Sequence, residues 1–297
     1  MKTLRGAGPG RVAALVLLGA LGCSSPRRAR TASAADAAVK EAPVETSACT
    51  LVFESAGLPH RAPLLARERS TLENLVPMLG GGGRGSSGPT TLTPALLLTH
   101  LKGGPGTRPW IAAFAAGRCR AASASDERAL TQALRTLVAS PESTPSARVE
   151  AAMSLLLRGE RNDGLALLRS LVGAVDPTGE QYKAAYYLAQ AGDPSGFPQL
   201  VEALTGELVQ NRIMAVRHAI GFKPYDGQLS TGFGQPKTTV RQLLLERLRD
   251  HEAMVRQEVP PALKELGIDD LAAVLQPVKD GDPDINVRVA AEAALAP

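Results

Sequence analysis

Aromatic residues are scarce in this chain. Phe, Trp and Tyr make up 3% of its 297 residues, although 44% of the sequence is hydrophobic. The apolar side chains are therefore mainly those of Ala, Leu and Val, which fill close contacts between helices. Because a β-sandwich normally contains more aromatic and β-branched residues, the composition favours an all-α protein.

Signatures of catalysis are also missing. The sequence has four histidines and no HExxH, GxSxG or CxxC motif. Gly80 and Gly85 have the spacing of a phosphate-binding loop, but position 86 is Ser where that loop needs Lys, so we interpret the stretch as a flexible loop. The sequence therefore predicts no catalytic residue, no cofactor and no metal site.

The positive charge is concentrated near the amino terminus. The isoelectric point is about 9.1, but Lys2, Arg5 and Arg11 lie in the first 22 residues, which contain no acidic residue. Removing these three charges takes the formal net charge from +4 to +1. The rest of the chain has no basic excess to neutralise phosphates, so we expect no nucleic-acid partner.

The first 23 residues have the three parts of an export signal. A basic opening is followed by VAALVLLGAL, which at about ten residues is too short to span a bilayer, and then by Cys23. The segment Ala20-Leu21-Gly22-Cys23 resembles the lipobox of bacterial lipoproteins and departs from it at Ala20, where Leu is commoner. The resemblance implies cleavage of residues 1–22 and lipidation of Cys23. The alternative is ordinary cleavage after residues 32–34, ASA.

Residues 23–48 are expected to form a flexible tether, because they are rich in Ala, Ser, Pro and charge and cannot bury a core. The resemblance to lipoproteins implies a location in the bacterial cell envelope, with the membrane contacted through the lipid alone. Ser24 follows the cysteine where Asp would signal retention at the inner membrane, so we expect the outer membrane, facing the periplasm.

Two cysteines remain after Cys23, namely Cys49 and Cys119. An even pair in an oxidising compartment predicts a disulfide, and two free buried thiols are the alternative. The chain-entropy model gives a bridge that closes a loop of this length about 4 kcal/mol of stabilisation. The bridge would tie together residues 49–125, where the helical pattern is weak.

The rest of the chain repeats. Residues 150–159, EAAMSLLLRG, and residues 183–192, KAAYYLAQAG, are similar, and VRQEV at Val255 is similar to VRVAA at Val287. Each unit carries apolar stripes typical of two helices. Four glycines are expected just after the first helix of their units, at the position where glycine is tolerated best: Gly159, Gly192, Gly221 and Gly267.

Two segments resemble HEAT repeats of the phycobilisome-lyase-like type. Gly192-Asp193-Pro194 with the following FPQLVEAL is similar to the second helix of such a repeat, and GDPDINVRVAA from position 281 is similar to its first helix. The resemblance covers about residues 126–297 and implies an all-α, HEAT-like α-solenoid of helix pairs. Residues 49–125 are expected to form an N-terminal cap, because the first repeat would otherwise expose an apolar face.

Several charged residues have two interpretations within this fold. HEAT-repeat hydroxylases bind two irons through several facing His-Glu pairs, but this chain has only His251-Glu252, which we interpret as a solvated helix start. Arginines also recur near the middle of first helices. They form either a basic groove for an acidic partner or a structural ladder between adjoining repeats: Arg148, Arg217, Arg256 and Arg288.

Residues 221–236, GFKPYDGQLSTGFGQP, are longer than the turns of the other units. They contain Phe222, Tyr225 and Phe233, three of the ten aromatic residues. Such insertions often carry recognition, and aromatic side chains are favoured anchors, so these three are candidate partner-binding residues. The alternative is that the rings fold back and fill the gap between helices.

The sequence thus predicts a non-enzymatic envelope lipoprotein that presents a HEAT-repeat surface to an unidentified protein partner. A structural or anchoring component of the envelope is the second hypothesis. A lyase-like enzyme or a chromophore handler is the third, and it rests only on the name of the repeat family.

Overall fold

The computed structural model describes residues 48–61, 65–80, 91–104, 106–173, 178–230 and 237–296. The predicted signal peptide, Cys23 and nearly all of the tether lie outside these residues, as does Phe233. No helix among the described residues is long and apolar enough to cross a membrane.

Helices dominate the described residues, as the composition predicted. The α-helices are α1 (Leu65–Leu75), α2 (Pro94–Leu101), α3 (Pro109–Arg118), α4 (Ala124–Ala139), α5 (Pro145–Leu157), α6 (Arg161–Val172), α7 (Glu180–Gln190), α8 (Phe197–Thr205), α9 (Val209–His218), α10 (Val240–Arg247), α11 (Ala253–Leu266), α12 (Leu271–Gly281) and α13 (Ile285–Leu295). Short 3-10 helices lie at Val76–Met78, Pro194–Gly196 and Ala219–Tyr225.

The strands among the described residues are short and occur in two antiparallel pairs. Strand β1 (Thr50–Leu51) pairs with β2 (Cys119–Arg120), with Leu51 opposite Cys119. Strand β3 (Leu229–Ser230) pairs with β4 (Lys237–Thr238), with Leu229 opposite Thr238. The second pair belongs to the insertion between α9 and α10.

The helices form the HEAT-like α-solenoid that the repeats predicted. Helices α3, α5, α7, α9, α11 and α13 pack side by side, each on the next, and we call them the odd layer. Helices α2, α4, α6, α8, α10 and α12 pack against their odd-numbered neighbours and form the even layer. The core between the layers consists mainly of Ala and Leu side chains, as expected where helices approach closely.

Local sequence explains where several helices begin. The hydroxyl of Thr144 accepts a hydrogen bond from the backbone N–H of Ala147, and Pro145 occupies the first turn of α5. Asp284 accepts hydrogen bonds from two backbone N–H groups at the start of α13. Both patterns satisfy donors that have no partner within the helix.

The glycines at the ends of first helices follow the prediction with one exception. Gly159, Gly192 and Gly267 have φ values of +91°, +93° and +68°, which place them in the left-handed region that glycine tolerates. Gly221 instead lies inside the 3-10 helix Ala219–Tyr225. Its assignment as a helix-ending glycine was wrong, because the chain continues as a 3-10 helix and packs this residue against Tyr186.

The predicted disulfide joins the start of the N-terminal cap to the residue that follows α3. Cys49 and Cys119 are bonded, with their Cα atoms 5.2 Å apart. Helix α3 then continues the odd layer onto α5, where Gly117 lies against Ser154 and the Ser154 hydroxyl donates to the carbonyl of Ala113 at 2.6 Å. The cap therefore adds helices to the stack and covers the end of the first repeat.

A ladder of buried or half-buried arginines joins successive repeats. Arg212, Arg256 and Arg288 each donate to carbonyl groups five and six positions earlier in the chain. Arg212 also donates from Nη2 to Asp250 Oδ1 at 3.3 Å. Arg256 forms a two-bond pair with Asp282, with both distances 2.9 Å. Each pair joins the start of one first helix to the loop before the next.

The ladder differs from the predicted set at one position. Arg217 lies five residues beyond Arg212 and pairs with Glu258 across the surface between α9 and α11. Its assignment to the ladder was wrong, because the repeat before α9 is shorter and moves the equivalent arginine to position 212. Arg148 donates from Nε to the carbonyl of Val138 in α4 at 3.1 Å. These contacts agree with the structural interpretation of the arginines.

Candidate functional site

Helix α1 crosses the odd layer and makes a cavity with it. Arg67 of α1 donates to both carboxylate oxygens of Glu265 in α11, at 2.8 and 2.6 Å. One residue later, Glu68 accepts a hydrogen bond from Arg118 Nε at the end of α3, at 3.1 Å. Between these attachments lies a cavity of about 210 Å³, lined by α1, α3, α5, α7 and α9. We call it the Arg118 cavity.

The first charged group at this cavity consists of two arginines and one carboxylate. Arg61 donates to both oxygens of Glu68, at 3.1 and 2.5 Å, and Arg118 shares the second oxygen. The side chains of Arg61 and Arg118 are 2% and 1% exposed. Burial works to raise the pKa of the Glu68 carboxyl, but Arg118 and Arg61 outweigh it and hold that pKa below its ordinary value. The group therefore carries one positive charge in excess.

Arg118 is held on three sides. Its Nε donates to Glu68, its Nη1 donates to the carbonyl of Phe114 at 2.7 Å, and its guanidinium carbon lies 3.6 Å from the centre of the Phe114 ring. Its Nη2 is buried and has no hydrogen-bond acceptor among the residues that the structure describes. A buried charged donor without an acceptor is costly and therefore uncommon in native proteins.

The second charged group is a lysine, a glutamate and a tyrosine. Lys183 of α7 forms an ion pair with Glu150 of α5, and the Tyr187 hydroxyl donates to both Glu150 oxygens at 3.1 and 3.0 Å. Burial works to lower the pKa of the Lys183 ammonium, but Glu150 and Glu180 raise it above its usual value. Burial, and then the charge of Glu150, raises the pKa of the Tyr187 hydroxyl.

His218 and Tyr186 form another part of the wall. Their rings lie 5.2 Å apart between centres and are tilted by 43°. Burial holds the pKa of His218 well below its ordinary value of 6.5, and the positive charges of Lys183, Arg67 and Arg217 lower it further. The imidazole is therefore neutral at neutral pH. Burial also raises the pKa of the Tyr186 hydroxyl.

The charge states of Lys183 and His218 suit binding better than proton transfer or nucleophilic attack. A lysine that acts as a nucleophile needs a lowered pKa, whereas the pKa of Lys183 is raised by its pair with Glu150. A general base works best with a pKa near the working pH, and that of His218 lies well below it. Trp110, Phe114 and Tyr186 add apolar surface to the cavity.

The candidate partner-binding residues lie elsewhere and two of them are buried. Phe222 has no exposed surface and its ring packs 5.4 Å from that of Phe197. Tyr225 donates its hydroxyl to the carbonyl of Ala189 at 2.9 Å and contacts the ring of His60 edge-on. These positions correspond to the alternative that the rings fill the gap between helices. Phe233 lies outside the described residues.

His251-Glu252 lies at the start of α11, away from the Arg118 cavity. The His251 side chain is 76% exposed, and its Nε2 lies 3.3 Å from Arg212 Nη2 and 3.7 Å from a Glu252 oxygen. In the part of the chain that the structure describes, no group of three or more His, Cys, Asp or Glu side chains is placed to hold a metal ion.

One sequence feature that indicates the Arg118 cavity was missed. Glu150 and Lys183 are the first residues of the two similar segments EAAMSLLLRG and KAAYYLAQAG, and they stand 33 positions apart. Equivalent positions of neighbouring repeats lie side by side in a solenoid, so opposite charges there predict a contact. No comparable signal marks Arg118, because its partners are Glu68 of α1 and the carbonyl of Phe114 in its own helix.

Comparisons with known proteins add little to this geometry. No family model matches the sequence, and no curated protein is similar to it. Among solved structures, the chain is similar to human deoxyhypusine hydroxylase in complex with glycerol, with 19% sequence identity and a TM-score of 0.32 over 78% of this chain and 98% of that one. A likeness of this extent transfers no site and no activity.

Proposed function

We propose that this protein is a non-enzymatic, lipid-anchored protein of the bacterial cell envelope that binds a partner protein at the Arg118 cavity. The observation that carries the proposal is the Arg118 side chain, which lines the cavity and whose buried Nη2 has no acceptor among the described residues. A solenoid offers a long surface for a partner, and this cavity adds a place of defined chemistry on it.

The chemistry of the cavity favours binding over catalysis. The charged side chains around it are already paired with one another, apart from Arg118 Nη2. Groups fixed in this way make good ligands for a complementary surface. Proton transfer during a reaction would require one of them to change its state near neutral pH.

The anchor is proposed from the sequence of residues 20–23, which resembles a lipobox. A tether of about 25 residues would reach roughly 25–30 Å from the lipid, so the solenoid would face the periplasm near the outer membrane. Labelling with a palmitate analogue should mark the wild-type protein and not Cys23→Ala. Equal labelling of the two proteins contradicts the anchor and leaves the binding site untouched.

Site-specific photo-crosslinking in cells tests the partner. A photoreactive amino acid at Thr71, which lines the cavity from α1, is compared with one at Ala166, which is exposed on α6 of the even layer. We expect a discrete crosslinked protein product at position 71 that is missing at position 166. The same products from both positions, or none from position 71, would contradict binding at the cavity.

A further inference from the structure

We propose that the Arg118 cavity binds a single carboxylate group of its ligand, which accepts hydrogen bonds from Arg118 Nη2 while an adjoining apolar group packs on the aromatic wall. The inference rests on the proposed function, because it names the chemistry of the group that enters the same cavity. Its test uses small probes, so that its failure can be distinguished from the failure of partner binding.

The donor is defined by what surrounds it. Two of the three guanidinium nitrogens of Arg118 are occupied, Nε by Glu68 and Nη1 by the carbonyl of Phe114. The remaining nitrogen, Nη2, carries two N–H groups and is buried without an acceptor among the described residues, in a side chain that lines the cavity. Hydrogen bonds from a guanidinium to a carboxylate are among the strongest in proteins, and an incoming carboxylate would satisfy both donors.

The charge of the group formed by Arg61, Glu68 and Arg118 favours a monoanion. Arg61 and Arg118 share the single carboxylate of Glu68, which leaves one positive charge uncompensated in that group. Lys183 is paired with Glu150, and the charge of Glu180 also acts on it, so this second group adds no positive charge in excess. Burying a charge is favourable only when it is matched, so one carboxylate completes the set, whereas a phosphate dianion would bring a second negative charge.

The shape of the cavity favours one side chain or one small acid. Its volume of about 210 Å³ is below the range of cavities that hold drug-sized molecules. Trp110, Phe114 and Tyr186 line it and offer faces on which an aromatic or aliphatic group can pack. A carboxylate with one apolar group beside it therefore matches both the charge and the walls.

Trp110 allows a direct test on the unmodified protein. It is the single tryptophan of the chain and lines the cavity, so its fluorescence reports on the site alone. The full chain in detergent is titrated with phenylacetate, with its neutral analogue phenylacetamide, and with phenyl phosphate. We expect a saturable change with phenylacetate and an affinity at least about tenfold higher than for either other probe.

Two variants of Arg118 test whether this residue causes the preference for phenylacetate over phenylacetamide. Arg118→Gln removes the charge, and Arg118→Lys keeps a charge for Glu68 but has no Nη2. Both should bind phenylacetate no more tightly than phenylacetamide. Arg212→Gln removes a buried arginine far along the layer and should keep the wild-type preference, which controls for loss of stability. If Arg118→Gln lacks a cooperative melting transition, Arg118→Lys decides the assignment.

Two peptides distinguish whether the carboxylate belongs to an acidic side chain or to a chain terminus. One is blocked at both ends and contains Phe-Glu, and the other ends in Phe with a free carboxyl group. Tighter binding of the first than of its Phe-Gln form assigns an acidic side chain, and tighter binding of the second than of its amidated form assigns a chain terminus. The inference is overturned if wild-type protein binds phenylacetate no better than phenylacetamide, or if phenyl phosphate binds more tightly.

Discussion

Gly221 lies directly against the ring of Tyr186. A Cβ atom at position 221 would overlap Cδ2 of that ring and lie 3.1 Å from Cε2. Because Tyr186 also forms part of the cavity wall, the ring cannot move away without changing the cavity. We therefore expect Gly221→Ala to lower the free energy of unfolding by about 1–3 kcal/mol.

Thermal unfolding of Gly221→Ala measures this loss, and Gly281→Ala is the matched control. Gly281 ends α12, has no positive φ, and a Cβ atom there would meet nothing within 4 Å. The control should melt within about 2 °C of the wild type, whereas Gly221→Ala should melt several degrees lower. Equal melting temperatures for the two variants would show that Tyr186 has room to adjust.

The buried ladder should contribute far more stability than the surface pair beside it. Asp250→Asn removes the charge that faces Arg212, and both side chains are nearly fully buried. Leaving a buried guanidinium without its partner costs about 3–5 kcal/mol. Glu258→Gln removes the partner of Arg217, whose side chain is 47% exposed, and should cost at most about 1 kcal/mol.

Urea unfolding of the two variants compares these pairs within one protein. The midpoint for Asp250→Asn should fall well below that for Glu258→Gln, at an unchanged dependence on urea concentration. If the two midpoints coincide, the ladder does not hold the repeats together in the way that its hydrogen bonds indicate.

Phe222 should behave as a core residue. Its side chain has no exposed surface, so Phe222→Ala should cost about 3–5 kcal/mol. Tyr225→Phe removes only the hydrogen bond to Ala189 and should cost about 1 kcal/mol. Differential scanning calorimetry gives both values. An unchanged melting temperature for Phe222→Ala, together with loss of the crosslinked partner, would instead favour the insertion as a binding loop.

His218 should make the protein less stable as the pH falls below about 6.5. The pKa of its imidazole is depressed in the folded protein, by burial and by Lys183, Arg67 and Arg217, whereas an unfolded histidine has the ordinary value of 6.5. Below that value the unfolded chain binds a proton that the folded protein excludes, so the free energy of unfolding decreases as the pH is lowered.

His218→Gln isolates this effect. Urea titrations at several pH values between 7.5 and 5 should show a smaller decrease in stability for the variant than for the wild type. Equal decreases in the two proteins would mean that the pKa of His218 is the same in the folded and the unfolded protein. Neither burial nor the positive charges around it would then lower that pKa.

The fold was largely predictable because it depends on local patterns that repeat. The glycines at 159, 192 and 267 were found from spacing alone, since each ends a helix of the same kind. The prediction failed at Gly221 because the chain continues there as a 3-10 helix. It failed at Arg217 because the repeat before α9 is shorter, so that Arg212 takes the place assigned to Arg217.

The candidate site was less predictable because it forms between distant parts of the chain. Glu68 and Arg118 are 50 positions apart, and Arg67 reaches Glu265 across 198 positions. No periodic pattern indicates that α1 crosses the odd layer. Only the opposite charges of Glu150 and Lys183 follow the spacing of the repeats. They predict a contact once α5 and α7 are known to be neighbours.

The binding of a partner at the Arg118 cavity is tested most directly by combining the crosslinking probe with the arginine variants. The yield of the position-71 product is measured in cells that carry wild-type protein, Arg118→Gln, Arg118→Lys or the control Arg212→Gln, at matched amounts of folded protein. We expect the yield to fall about tenfold or more in both Arg118 variants and to stay near the wild-type level in the control. Equal yields in all four proteins would contradict the proposal that Arg118 holds the partner.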